Sequence, residues 1–155
     1  MKPYNSQNYR LIPDGLVYNE TFNELPVRTQ LLFYKLVGCP EMNMLGIFKL
    51  RPLRAASIEF DMSEADLLEA LHQLEEADFI LFSEQTREVA ITYWMGWGIC
   101  KGGTPVIDGL KSAYMQLQDK GLALTVFDRM RDNNIEVKQG IKDAISTALD
   151  DINTF

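Results

Sequence analysis

The chain has 155 residues, room for one ordinary domain or a small domain with an appendage. Apolar residues make up 46%, enough for a real core, and a net charge of −7 argues against wholesale binding to a polyanion, which calls for a basic surface. The charge is uneven: residues 1–58 hold seven Lys/Arg and four Asp/Glu (+3), residues 59–88 hold ten acids and one base, Arg87 (−9), and residues 89–155 sum to −1. That distribution permits a local anion-binding edge beside an acidic face. Cys39 and Cys100 form no metal signature and read as buried free thiols. The N-terminus is polar without a signal-peptide run, and no apolar stretch approaches the ~20 residues that span a bilayer. The expectation is a cytoplasmic protein with no membrane partner.

Residues 1–8 read as a flexible tail, and Tyr9 to Pro13 as a short extended piece, since Pro13 biases its neighbour away from helix. Asp14-Gly15 is a turn, and Leu16 to Phe22 fits a short helix. Leu25-Pro26 opens a better one, in which Val27, Leu31, Leu32, Tyr34 or Lys35, and Leu36 fall near helical spacing and should face the core. Gly38 and Pro40 end it, and Arg28 and Lys35 should share an exposed side. Gly46 to Leu50 alternates like a strand, and Pro52 then starts a helix carrying Leu53, Ala56 and Phe60.

Ser63 and Asp66 resemble a capping box. Behind them Leu67, Ala70, Leu71, Leu74 and Ala77 make one helical face, and the opposite face presents Glu64, Asp66, Glu69, His72, Gln73 and Glu76. Phe79 to Phe82 and Glu88 to Trp94 read as a hairpin across the polar residues 83–87. Glycines at 96, 98, 102 and 103 mark a linker. Three helices follow, at Pro105–Gln118, Leu122–Arg131 and Val137–Ile152, with Thr104 capping the first and Pro105 at its first position. Trp94 and Trp97 fit a packing seam between the two parts.

The fold class expected is α+β, mainly helical: a winged helix-turn-helix over residues 9–95, a linker at 96–104 and a small C-terminal helical part at 105–155. No nucleotide-binding loop or nucleophile motif is present, and carboxylates around the single histidine, His72, make a poor metal cage. The protein is therefore expected to be non-enzymatic, without cofactor or metal. In a winged helix the third helix normally enters the major groove. Here that helix has no Lys or Arg. Each carboxylate brought to a phosphate costs up to ~4 kcal/mol at an effective dielectric near 20, more than the ~1–3 kcal/mol of one good base contact. DNA contact is expected instead from Lys49, Arg51 and Arg54 around the start of the preceding helix and from Arg87 at the wing tip. Lys111, Lys120, Arg129, Arg131, Lys138 and Lys142 are further cations in the C-terminal part. Glu64, Glu69, His72, Gln73 and Glu76 are candidates for protein interaction.

Several segments together resemble the N-terminal winged-helix domain of phage replisome-organiser proteins, relatives of the DnaD-like primosome proteins. They are Arg10-Leu11-Ile12-Pro13-Asp14, Leu25-Pro26, Leu31-Leu32-Phe33, Leu45-Gly46-Ile47-Phe48, Ser63 to Leu71, Leu74-Glu75-Glu76-Ala77, Val89-x-Ile91-x-x-Trp94 and Thr104 to Lys111. The resemblance covers residues 9–118. It implies a role in starting phage or mobile-element DNA replication through DNA that is bound weakly or through a homo-oligomer, and through host or phage replication proteins. Family members commonly share the acidic third helix. They usually also carry a longer C-terminal helicase-loading or DNA-binding region, which residues up to Phe155 do not match. The alternative is a phage-encoded interaction module or inhibitor whose acidic face imitates DNA and docks on a basic host protein.

Overall fold

Among the described residues a 3-10 turn and four helices of the N-terminal half are threaded by a three-stranded antiparallel sheet, and three helices of the C-terminal half complete a mainly helical α+β structure. The computed structural model describes residues 12–92, 94, 103–132 and 139–154. A 3-10 turn at Asp14–Leu16 precedes α1 (Glu20–Glu24), α2 (Val27–Val37), β1 (Ile47–Lys49), α3 (Leu53–Glu59), α4 (Glu64–Glu76), β2 (Ile80–Ser83) and β3 (Glu88–Ile91). Then come α5 (Thr104–Gln116), α6 (Lys120–Asp132) and α7 (Gln139–Asn153). The flexible tail, most of the extended piece at 9–13, the linker residues 95–102, Tyr93, Trp97 and Cys100 lie outside the described residues.

Local chemistry sets the boundaries. The Asn19 side chain accepts from Phe22 N–H and starts α1, so the helix expected over Leu16 to Phe22 is instead a turn followed by a new start. Ser63 Oγ accepts from Asp66 N–H at 3.0 Å and caps α4 as its spacing predicts. Asp61 (φ 55°) and Asp78 (φ 66°) close α3 and α4 in the left-handed region, which Asp tolerates better than most residues. Thr104 is not the cap of α5: it is the first helical residue, after Gly103 at φ 118°.

The sheet order is β1-β3-β2. Registry pairs Phe48 with Val89 and Val89 with Phe82, so these three share one face. Phe82 meets His72 of α4 on that side, with ring centroids 6.4 Å apart. Glu88 and Lys49 share the other face, where Gln118 and Asp119 bond to them. Hence all four residues of β3 are buried. The C-terminal helices cover the second face of this strand.

Both outer strands are blunted by side chains. Asn43 Oδ1 accepts from Ile47 N–H at 3.0 Å, and Ile47 C=O accepts from Asn43 N–H at 2.9 Å. On the opposite edge Glu75 Oε1 accepts from Phe82 N–H at 3.2 Å. Plugs of this kind keep an edge from pairing with another chain.

The α4 stripe is as expected: Leu67, Ala70, Leu71 and Leu74 are buried. In α2 the outcome differs. Thr29, Leu32, Phe33, Leu36 and Val37 face the core, while Val27 and Leu31 are exposed at 79% and 52%. Two adjacent helical stripes compete there, and Phe33 wins by joining Phe22 and Phe79 in edge-to-face contacts at 5.4 and 5.7 Å. Such pairs add roughly 0.5–1.5 kcal/mol each beyond area burial.

One apolar cluster runs through both halves of the chain. Trp94 is buried against Gly46, whose φ is +75°, and across the junction Met44 lies over Gly109. A Cβ on Gly46 would stand 2.4 Å from that of Trp94, so both the turn and the close approach require glycine.

Candidate functional site

The cationic candidates fall along one margin of the sheet. Lys49 ends β1 and its Nζ donates to Gln118 Oε1 at 2.7 Å. Arg51 is exposed, with Nε 4.0 Å from Glu59. Arg54 is exposed on the first turn of α3. Arg87 sits in the β2–β3 turn at φ 61°, and its carbonyl accepts from Leu50 N–H at 2.8 Å, which ties the turn to the end of β1. Neither Arg54 nor Arg87 forms an ion pair among the described residues.

Beside this margin, β1, α3 and the end of α2 enclose a cleft of about 450 Å³. Leu36, Phe48 and Ala56 give it an apolar floor, and Lys35, Lys49 and Arg51 stand around it with Glu41 and Glu59. The Lys35 ammonium lies 6.0 Å from the centre of the Phe60 ring. Lys35 and Phe60 escaped the sequence reading as site residues. They are far in sequence from Lys49, and only the packing of α2 beside α3 brings them to it.

The acidic helix has a different character. Glu64 and Glu76 are exposed. Asp66 and Glu69 are met by Arg28 of α2, at 3.0 and 3.8 Å. His72 Nε2 lies 2.7 Å from Glu84 in the wing turn and its Nδ1 4.0 Å from Glu75. Gln73 does not stand on the open face: its Oε1 accepts from the fully buried Thr29 hydroxyl at 2.6 Å, which clips α4 to α2. So the five candidates for protein interaction do not form one free surface. Glu64 and Glu76 are its open members, Glu69 and His72 are half engaged within the chain, and Gln73 is a structural clip.

The buried carboxylate of Glu88 was not singled out by sequence, where it looks like an ordinary polar residue beginning a strand. It is 3% exposed and accepts from Gln118 N–H and Asp119 N–H, both at 2.8 Å, and from Thr86 Oγ at 3.1 Å. It satisfies two amides between α5 and α6 that have no helical partner. Arg129 and Asp78 form a second polar link between the halves. Lys111 bonds Asp151 at 2.9 Å, which with Asp108 holds its ammonium above the usual lysine range. Of the other C-terminal cations, Lys120 lies over Tyr114, while the side chain of Arg131 and all of Lys138 fall outside the description.

Cys39 borders the cleft. Burial pushes its thiol above the ordinary value, and the charges of Glu41 and Glu59 push the same way. Among the described residues no group of three or more His, Cys, Asp or Glu is placed to hold a metal ion, and no helix is long and apolar enough to cross a membrane. No protein-family model, curated protein or solved structure matches this chain.

Proposed function

We propose that this is a non-enzymatic nucleic-acid and protein-binding module of winged-helix type, acting in DNA replication in the manner of a phage replisome organiser. The order α2–β1–α3–α4–β2–β3 with strand order β1-β3-β2 supports the scaffold. The observation that carries the nucleic-acid reading is the grouping of Lys49, Arg51, Arg54 and Arg87 along one margin, with the last two outside any ion pair among the described residues. In this reading α4 does not enter the major groove. Its Asp66 and Glu69 are turned to Arg28, the exposed Glu64 and Glu76 would repel phosphate, and phosphates approach from the β1–α3 side instead. A homo-oligomer would multiply a weak contact of this kind.

The inhibitor alternative is less well supported, because Arg28 neutralises part of the face that would imitate DNA. A fluorescence titration of labelled DNA with the full chain over a salt series separates the two. Affinity should fall with rising salt, and Arg51→Ala with Arg54→Ala should weaken binding and flatten that slope by about two phosphate contacts. DNA binding that is absent at low salt, together with capture of a basic host protein that Glu64→Lys with Glu76→Lys abolishes, would favour the inhibitor.

A further inference from the structure

We propose that the cleft between α2, β1 and α3 receives one unstacked base of a single nucleic-acid strand, with Lys35 and Arg51 meeting the phosphates on either side of it. This rests on the cationic margin described above and adds strandedness to it. The cleft measures about 450 Å³, within the roughly 300–1,000 Å³ of sites that hold small organic groups. Its floor is apolar, and Phe60 is a half-buried aromatic ring at its edge with a lysine ammonium 6.0 Å from the ring centre. An aromatic surface flanked by positive charge is how proteins grip single strands, because every base offers a π-face whatever its sequence.

The charge of the rim points the same way. Lys35 and Arg51 face Glu41 and Glu59, a balance of two positive charges to two negative, while the Lys49 ammonium is turned to Gln118 on the other face of the sheet. Arg51 already stands 4.0 Å from Glu59. A rim so nearly neutral suits one or two phosphates of a flexible strand that can steer around the acids. It does not suit the two rigid phosphate rows of a duplex, whose paired bases are in any case closed to the cleft.

The test is fluorescence anisotropy at low salt with the full chain, a labelled oligothymidylate and a labelled duplex of equal length. The strand should bind at least about ten-fold more tightly than the duplex, the value of one base stacked on an aromatic ring. Phe60→Leu, which keeps an apolar side chain, should remove most of that preference. Lys35→Gln, at an exposed position, should weaken the strand several-fold and the duplex little, and it carries the test if the leucine variant fails to fold. Equal binding of strand and duplex that neither variant changes would overturn the base-in-cleft inference and leave the cationic margin standing. Binding of neither polymer would overturn both. An acidic peptide bearing an aromatic side chain that binds where the oligonucleotide does not would replace the base with a protein ligand and so overturn the inference.

Discussion

The outer face of α4 and the margin formed by β1, α3 and the wing turn carry opposite charge and use it differently. On α4 much of the polar chemistry is turned inward: Arg28 takes Asp66 and Glu69, Glu84 takes His72, and Thr29 takes Gln73. On the margin, Arg54 and Arg87 form no ion pair among the described residues, and Arg51 has only a long contact with Glu59. Net charge is therefore a poor guide to what this protein presents. The acids outnumber the bases, yet Asp66, Glu69, Glu75 and Glu84 link α4 to its neighbours. Exposed ion pairs of this kind contribute little stability, roughly 0–1 kcal/mol each, but they remove charge from the surface that a ligand meets.

The contrast breaks most severely at Glu88, which fixes the C-terminal helices to the same strand pair that supports the margin. Glu88→Ala should cost roughly 1–3 kcal/mol in a denaturant titration, because two partly buried amides lose the carboxylate to which they donate. Glu88→Gln should cost less, since its carbonyl oxygen still accepts from one amide. Equal stability of the alanine variant and the parent would mean that the C-terminal helices are held by apolar contacts alone.

A smaller effect sharpens the comparison at the wing turn. Arg87 occupies φ 61°, where glycine carries no steric penalty. Arg87→Gly should leave the melting midpoint unchanged or raise stability by up to about 1 kcal/mol, while weakening nucleic-acid affinity. A drop in both would show that the arginine acts on the fold rather than on a ligand.

The smallest effect lies in the cleft wall. Burial raises the Cys39 thiol first, a hydrogen bond with the Glu41 backbone offsets part of this, and the Glu59 charge adds to it, so less thiolate exists at neutral pH than in an exposed cysteine. Alkylation of Cys39, followed by peptide mapping, should be slow near neutrality and accelerate until the pH passes above the ordinary thiol range. Glu59→Gln should shift that acceleration to lower pH. A fast reaction at neutral pH would mean that the cations, not the acids, govern the cleft wall.

Local signals carried much of this architecture. Ser63 and the Leu67–Leu74 stripe announce α4, Pro52 stands just before α3, and the polar residues 83–87 announce the turn between β2 and β3. Where two helical stripes overlap, as in α2, periodicity alone could not choose, and the aromatic partners Phe22 and Phe79 decided it. Burial of β3 on both faces was not legible either, because the helices that cover its second face follow a break in the chain. The candidate site was half legible. Lys49, Arg51 and Arg54 lie close together in sequence, whereas Lys35, Phe60 and the clip from Gln73 to Thr29 exist only through the packing of α2 beside α3 and α4.

Reversing charge on each region in turn, and titrating both variants with the same labelled DNA, tests the central claim most directly. Arg51→Glu with Arg54→Glu should lower affinity by about ten-fold or more, consistent with two lost phosphate contacts. Glu64→Lys with Glu76→Lys should leave affinity unchanged or raise it modestly. If the margin reversal has no effect while the lysines on α4 create or greatly strengthen binding, the acidic helix is the surface that faces DNA, and the account given for this protein is wrong.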